Sequence, residues 1–301
     1  MKIFRISIVL LVSISLFSCK KDRIQKSKKE YENISTYLDL KKQQEQVFVI
    51  DTLGETPIIG NLGTKILISK DCLMRQNGDS VYFPYTIKLV ELYSPKDMIY
   101  HQMPSVSSQG VLQTDGEIRL RAFKGNEELL LRPDPCQCEV HLPNENPKTY
   151  MRVFYGFENN GIPNWTSNLQ DFGIISSLSP FFETIDSGYK GHLARLGWFA
   201  CDAPIASDNG AQLTFTSTTD ELENIGIFIY LNGTNSLIQV YNMESIILPL
   251  GYNAKIICLG IDSENRLYQF YKELIISQSE EVDVEMTEIS ETALESLLSN
   301  L

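Results

Sequence analysis

The chain has 301 residues, 43% of them hydrophobic and 21% charged, and it carries a formal net charge of −12. These proportions are typical of globular proteins, and the length suffices for one large domain or two ordinary ones. The acidic balance argues against nucleic acid as a partner, because a phosphate backbone requires a basic surface. The 14 tyrosines and 14 phenylalanines favour β-structure.

Residues 1–18 have the pattern of a secretory signal peptide. A short basic start, Met1 to Arg5, precedes an apolar run with a few serines, Ile6 to Phe17. A basic start, a short apolar stretch and a small residue before the cleavage site define such a signal. The run is about twelve residues long, whereas a membrane-spanning helix needs about 20. We therefore expect residues 1–18 to be removed.

The end of this run, Leu16-Phe17-Ser18-Cys19, resembles the lipobox of bacterial lipoproteins. The resemblance implies that the Cys19 thiol receives a diacylglycerol, that the chain is cut before Cys19, and that the new amine is acylated. A thiolate is a good nucleophile for this transfer, and two or more acyl chains hold a protein stably on a membrane. The alternative is an ordinary signal peptide followed by an incidental cysteine.

Residues 19–46 are predicted to be a lipidated and charged tether. Residues 20–46 contain eight basic and five acidic residues and lack Gly and Pro. Tyr31, Ile34 and Leu38 have helical spacing, so part of the tether is expected to be a helix. Lys20-Lys21-Asp22 partly resembles the charged export signals of surface lipoproteins in Bacteroidota. This implies an outer-membrane, lipid-anchored location and leaves the periplasmic and cell-surface faces open.

Residues 47–132 are predicted to form a first β-sandwich. Short strand patterns such as Thr86 to Tyr93 are separated by turn signals about every ten residues, and Asn77-Gly78 is a hairpin signal. In Glu117-Ile-Arg-Leu-Arg-Ala122 apolar and charged residues alternate. This alternation predicts that the apolar side chains face the core and that the three charged ones face solvent.

Stretches of this region resemble lipoproteins of Bacteroidota whose first module is similar to a ZU5-like β-sandwich. They are Gly63-Thr-Lys-Ile-Leu-Ile-Ser69, Asp71-Cys-Leu73, Tyr85 to Tyr93 and Gly110 to Ala122. Gly197-Trp-Phe-Ala-Cys-Asp202 resembles the second half of the same proteins. The resemblance implies a binding or structural module, without catalytic residues to carry over.

Residues 133–148 are predicted to be a linker, because its prolines interrupt strands and helices. They are Pro133, Pro135, Pro143 and Pro147. Residues 149–301 are predicted to form a second β-rich domain. In it, Ile225 to Leu231 is apolar on both faces and is expected to be a central strand. Ser290 followed by Glu291 predicts a short, capped C-terminal helix.

Six cysteines leave an odd number once Cys19 is lipidated, and their disulfide pairing is not readable from the sequence. The five that remain are Cys72, Cys136, Cys138, Cys201 and Cys258. Cys258 lies in an apolar run and is predicted to be a buried small hydrophobe. Cys136-Gln-Cys138 with His141 has the ligand types of a zinc site, with His192 and Cys201 as distant partners. An oxidising compartment favours disulfides instead, so we assign no metal and no cofactor.

No catalytic residue is assigned. His192, Asp202 and a serine have the residue types of a hydrolase triad, but the chain lacks Gly-x-Ser-x-Gly and His-Glu-x-x-His. Asp51-Thr52-Leu53 and Asp79-Ser80-Val81 resemble the O-glycosylation motif of Bacteroidota envelope proteins, which makes Thr52 and Ser80 candidate acceptors.

Three aromatic residues, Trp165, Trp198 and Tyr189, are candidates to line a glycan-binding surface. Burial in the core is the commoner outcome for residues of this kind. Whether these side chains are exposed or buried therefore distinguishes a ligand-binding surface from an ordinary core.

Together these features predict an all-β, lipid-anchored protein with a non-catalytic binding or structural role in the cell envelope. Its expected partners are the membrane, through the lipid on Cys19, and an unknown protein or glycan. The alternative is a lipid-tethered hydrolase of glycans or peptides. A pocket with a buried, perturbed histidine or paired carboxylates would favour the hydrolase. An exposed aromatic patch or an open strand edge would favour binding.

Overall fold

The computed structural model describes residues 27–52, 57–133, 136, 138–159, 161–206 and 209–301. The predicted all-β class is confirmed, because strands in several sheets make up most of the regular structure. The predicted signal peptide and Cys19 lie outside the described residues. Within the described ranges, no helix combines the length and the apolar character that crossing a membrane requires.

The described ranges contain three α-helices and 24 strands. The helices are α1 (Ser35–Lys41), α2 (Pro95–His101) and α3 (Glu291–Ser299). The strands up to the middle of the chain are β1 (Gln46–Ile50), β2 (Ile58–Ile59), β3 (Lys65–Ile68), β4 (Leu73–Met74), β5 (Tyr85–Leu92), β6 (Val106–Ser107), β7 (Gly110–Lys124), β8 (Glu127–Glu128), β9 (Leu130–Leu131), β10 (Cys138–Pro143), β11 (Arg152–Asn159) and β12 (Ile162–Thr166). The remaining strands are β13 (Glu183–Ile185), β14 (Gly188–Leu193), β15 (Gly197–Pro204), β16 (Gly210–Ala211), β17 (Leu213–Thr216), β18 (Gly226–Leu231), β19 (Ser236–Val240), β20 (Leu248–Pro249), β21 (Asn253–Ile261), β22 (Leu267–Ile275), β23 (Glu280–Asp283) and β24 (Thr287–Ile289).

Two sheets pack face to face as a sandwich. The main sheet has the order β1-β5-β7-β15-β11-β12-β6, and the facing sheet has the order β13-β14-β10-β3-β2. Their shared core contains Ile87, Leu120 and Val153 from the main sheet and Ile66 and Val140 from the facing sheet. Alternate residues of β5, β7 and β10 point into this core, and for β7 this is the geometry that the alternating sequence pattern predicted.

The other face of the main sheet is covered as well. A third sheet, β19-β18-β21-β22-β24, packs there with the three helices. The resulting core joins Leu92 and Phe154 of the main sheet to Phe228 and Ile257 of the third sheet and to Leu38 of α1. The predicted central position of β18 is confirmed, because it lies between β19 and β21 and is buried along its whole length.

The division predicted at residues 133–148 does not coincide with a separation between sheets. β7 precedes that segment and β15 follows it, yet the two pair along much of their length in the main sheet. The segment itself contains β10, in which Cys138, Val140 and Leu142 are buried. The alternating apolar pattern therefore forms a strand despite the prolines that predicted a linker. Only Pro143 lies in the strand, as its last residue.

Part of the predicted tether packs into the fold. Tyr31, Ile34 and Leu38 are buried, and the last of these lies in α1. The Tyr31 hydroxyl donates to Asp220 Oδ1 at 2.6 Å, and the Lys29 backbone N–H donates to the Thr219 carbonyl at 2.8 Å. A free tether would therefore end before residue 29, well short of the predicted residue 46.

One residue of the alternating run in β7 contradicts the sequence prediction. Arg119 and Arg121 are partly exposed as expected, but Glu117 is fully buried. The Ser105 hydroxyl donates to Glu117 Oε1 at 3.1 Å and accepts the Leu237 N–H from β19 at 3.3 Å. The third sheet covers this end of β7, and alternation within one strand cannot reveal a cover that comes from elsewhere in the chain.

Candidate functional site

The predicted modification sites lie on the surface or outside the described residues. Cys19 belongs to the second group. Thr52 and Ser80 are exposed, and Arg132 Nη2 donates to the Ser80 hydroxyl at 3.4 Å. Their modification stays a prediction.

The cysteines do not assemble into the zinc site weighed above. Cys136 forms a disulfide with Cys72, at a sequence separation of 64. Cys138 is buried in the sandwich core, and burial raises the pKa of its thiol to about 12. Within the described ranges, no cluster of three or more His, Cys, Asp or Glu residues has metal-binding geometry. The prediction that Cys258 is a buried small hydrophobe is confirmed.

The residues of the hypothetical hydrolase triad lie in different sheets. His192 is on β14 of the facing sheet, where its Nε2 lies 3.4 Å from Glu139 Oε2. Asp202 is on β15 of the main sheet and is fully buried. The structure therefore does not bring these two residues together.

Only one of the three candidate aromatic residues is available to a ligand. Trp165 and Tyr189 are fully buried, and the Trp165 indole N–H donates to the Pro104 carbonyl at 2.8 Å. Trp198 is partly exposed on β15.

Trp198 lines a cleft of about 590 Å³, which we call the polar cleft. The cleft lies where α1 and α2 meet the main sheet and β19. Its lining includes Lys42, His101, Arg119, Trp198, Gln239 and Tyr241. These residues come from both sides of the predicted domain division, so the cleft exists only because the third sheet packs on the main sheet.

Cross-strand pairing positions the indole of Trp198. Trp198 lies opposite Arg119 in the β7–β15 ladder, and the guanidinium carbon lies 5.3 Å from the ring centroid. Arg119 Nη2 donates to Glu45 Oε1 at 2.8 Å. On the neighbouring strand, a β-carbon at Gly156 would lie 2.7 Å from the Trp198 β-carbon. Because Gly156 has no β-carbon, the Trp198 side chain can pack closely against the neighbouring strand.

His101, the last residue of α2, forms one wall of the polar cleft. Burial, together with the charges of Lys42 and Arg119, lowers the pKa of His101 to about 4. Its Nε2 accepts the backbone N–H of Gln43 at 3.1 Å. The ring is therefore neutral at neutral pH. Its Nε2 is occupied by the hydrogen bond that fixes the backbone just after α1.

Two buried polar atoms of cleft residues have no hydrogen-bond partner in the described part of the chain. They are Arg119 Nε and Gln239 Oε1. A buried polar atom without a partner costs about 1–3 kcal/mol, so native proteins rarely leave one unused. Both atoms are closed to solvent, so a side-chain movement is needed before a polar ligand can use this donor and this acceptor.

A pair of buried carboxyl groups lies apart from this cleft. Glu117 and Asp202 are both fully buried on the paired strands β7 and β15, and neither lines the polar cleft. Glu117 Oε2 and both Asp202 carboxyl oxygens have no hydrogen-bond partner among the described residues. Burial raises the pKa of both groups well above their ordinary values, and the charge of Asp202 contributes to the rise at Glu117.

Comparison with known proteins finds no match: neither a family model, nor a curated protein, nor a solved structure is similar to the chain. The case for a function therefore rests on the residues and their geometry.

The sequence contained partial signals for this site. The alternation in β7 correctly predicted that Arg119 faces outward, and Trp198 was a candidate. His101 was missed because α2 was missed, although Ser94-Pro95 is a recognisable helix start. Nothing local marks Gln239 or Tyr241, since only the packing of β19 brings them to the cleft.

Proposed function

We propose that the protein is a lipid-anchored envelope protein that binds a glycan in the polar cleft without cleaving it. The observation that carries this proposal is the partly exposed indole of Trp198 in a cleft that Arg119 and Gln239 also line. Each of these two residues has a buried polar atom without a partner among the described residues. Sugars have apolar C–H faces that pack on aromatic rings, and they have hydroxyl groups that need donors and acceptors at the ring edge.

The balance of charges in the cleft supports a neutral ligand. Its charged lining residues are Asp39, Lys42, Arg119 and Glu158, two of each sign. Lys42 pairs with Asp39 at 2.7 Å, and Arg119 pairs with Glu45 at 2.8 Å. With His101 neutral as well, the lining offers little net charge to an ionic ligand and suits a neutral, hydroxyl-rich one.

The alternative, a hydrolase, has one observation in its favour, since His101 is a buried histidine with a lowered pKa in a cleft. However, a general base works best with a pKa near the working pH and with a free acceptor nitrogen. The pKa of His101 is far below that range, and its Nε2 is bound to the Gln43 N–H. The geometry therefore favours binding over catalysis.

The binding proposal predicts that Trp198→Ala weakens retention on polysaccharides. The native chain is passed over immobilised α-glucan, β-glucan, mannan, chitin and peptidoglycan, and the bound fraction is measured. We expect at least one matrix to retain the native chain, and Trp198→Ala to bind on the order of tenfold more weakly.

Two controls accompany this test. Tyr82→Ala removes an aromatic side chain that is 73% exposed and lies outside the cleft, so it should leave retention unchanged. Fluorescence of the buried Trp165 reports that the variant is folded. Equal retention of Trp198→Ala and native protein would contradict the proposal. Release of reducing ends from a matrix that retains the protein would show cleavage and would support the hydrolase instead.

The anchoring proposal predicts that Cys19→Ala moves the protein from the membrane fraction to the soluble fraction. The variant Ser15→Ala keeps the lipobox and should stay in the membrane fraction. Protease treatment of intact cells then reports the membrane face, because a surface protein is digested and a periplasmic one is protected. A Cys19→Ala protein that remains membrane-bound would contradict the lipid anchor.

A further inference from the structure

A second cleft lies on a different part of the sandwich, and we call it the apolar cleft. Its volume is about 820 Å³, larger than that of the polar cleft. Strand β9, the loop after Phe172 and the residues around Arg195 form its walls. Most of its lining side chains are apolar, including Met74, Leu130 and Leu196.

Of the described residues that line this cleft, Arg195 is the one cation. Its guanidinium carbon lies 3.9 Å from the centroid of the Phe172 ring, and its Nη1 donates to the Gly156 carbonyl at 3.4 Å. Burial lowers the pKa of Arg195, and no carboxylate in the described part of the chain lies close enough to counter that effect. An arginine carries five N–H donors, so most of its donors remain available to an anion.

The other polar side chains of the apolar cleft are already paired. Both carboxylate oxygens of Glu128 accept from Arg121 at 2.8 Å. The Gln76 side-chain amide donates to the Glu128 carbonyl at 2.8 Å. Among the described residues that line it, the cleft therefore presents a single unpaired charge within an apolar surface.

Two of its apolar residues are unusually exposed. Ile175 is 90% exposed and Leu130 is 39% exposed. Isolated exposed apolar residues are common, but here they border one concave surface beside an arginine that has no acidic partner among the described residues. An apolar ligand would remove both from water, and an anionic group on that ligand would neutralise the arginine.

We propose that the apolar cleft binds a long-chain carboxylate, with its hydrocarbon chain along Leu130 and Ile175 and its carboxylate on Arg195. Guanidinium and carboxylate match in geometry, and desolvation strengthens their pairing. A fatty acid needs polar partners only for its head group. An extended peptide would need partners for each backbone amide, and the paired side chains of Gln76 and Glu128 leave few.

The test uses the chain from residue 20 onward, which contains every described residue and no acyl groups. Calorimetric titration compares dodecanoate with dodecanol, which has the same hydrocarbon chain without the charge. We expect dodecanoate to bind at least tenfold more tightly than dodecanol. The variant Arg195→Gln should remove this preference, because hydrogen bonds to a charged group are worth on the order of tenfold to a hundredfold in affinity.

Matched variants separate the site from general effects. Arg152 also stacks on a phenyl ring, with its guanidinium carbon 4.6 Å from Phe181, but lies outside the cleft, so Arg152→Gln should retain the preference. Ile175→Ser should weaken dodecanoate binding several-fold, whereas Leu40→Ser, at an 81% exposed residue outside the cleft, should not. Thermal unfolding of each variant shows that it is folded.

Three results would overturn the proposal: equal affinity for dodecanoate and dodecanol, an unchanged preference in Arg195→Gln, or capture of an apolar peptide in place of dodecanoate. Polysaccharide retention is measured on the same variants. Because the two clefts share no lining residue, failure here leaves the glycan proposal intact, and failure of the glycan test leaves this one intact.

Discussion

At the scale of single residues, the buried acid pair is the most unusual feature of the protein. Glu117 and Asp202 lie on paired strands, and three of their four carboxyl oxygens have no hydrogen-bond partner among the described residues. Ionised carboxylates in such a place would be costly, so the pKa of each rises and the groups stay protonated. Protonation in the folded state couples stability to pH.

The sign of this coupling follows from the raised pKa values. Below about pH 4, the carboxyl groups hold protons in both the folded and the unfolded chain. At higher pH the unfolded chain loses these protons while the folded chain keeps them, so the free energy of unfolding falls as pH rises. The slope reaches about 1.4 kcal/mol per pH unit for each such group.

We therefore predict that Asp202→Asn and Glu117→Gln flatten the loss of stability between pH 5 and pH 8. Each amide stays neutral in the unfolded chain, so the proton-linked cost disappears. Urea unfolding at several pH values measures the slope. Glu183→Gln, at an exposed carboxylate, should leave the slope unchanged. If the free energy of unfolding depended on pH equally in Asp202→Asn and in the native chain, the raised pKa of Asp202 would be contradicted.

At the scale of elements, α2 positions His101 at the polar cleft although the helix has only seven residues. Its start is well defined, because the Ser94 hydroxyl accepts the Asp97 N–H at 3.2 Å and also donates to Asp97 Oδ2 at 2.6 Å. Pro95 follows at the first helical position, where the missing N–H costs nothing. Short helices of this kind depend on caps and packing more than on propensity.

We predict that Ser94→Ala lowers the free energy of unfolding by about 1 kcal/mol, because the first turn loses its cap. Ser94→Thr retains a hydroxyl at the same position and should cost less. Chemical denaturation of the three proteins measures the difference. If Ser94→Ala and Ser94→Thr were equally stable, the cap would not contribute as described.

At the scale of the whole molecule, the two halves of the chain share one core. Leu92 and Phe154 of the main sheet pack with Phe228 and Ile257 of the third sheet. The polar cleft is built across the same boundary, from Trp198 on one side and Gln239 on the other. Folding and ligand binding are therefore expected to depend on both halves together.

We predict that a chain ending at residue 206 loses cooperative unfolding, because it exposes the apolar face of the main sheet that the third sheet covers. Binding of a hydrophobic dye and the shape of the thermal transition measure this loss. A chain ending at residue 289 lacks only Ser290, α3 and the two residues that follow it, and should be destabilised less. A sharp, native-like transition in the shorter chain would show that the two halves fold independently.

The disulfide and the buried glutamate show where sequence reasoning stops. Five cysteines permitted several pairings, and only the approach of Cys72 to Cys136, with α-carbons 5.1 Å apart, selects one. Glu117 matched an outward-facing pattern along β7, yet Ser105 and β19 cover it. Both outcomes depend on segments far away in sequence, which local periodicity does not contain.

The sequence by itself determined the all-β class, the inward face of Ile118, Leu120 and Ala122, the central position of β18 and the cap of α3 by Ser290. These features depend on hydrophobic period and on turn and cap residues, which act within a few residues. Only the tertiary structure decided that β7 pairs with β15, that Trp165 is buried while Trp198 is not, and that the polar cleft and the apolar cleft form. The reason is physical: burial and cleft shape depend on contacts between distant segments, and the free energy of those contacts exists only once the sheets have packed.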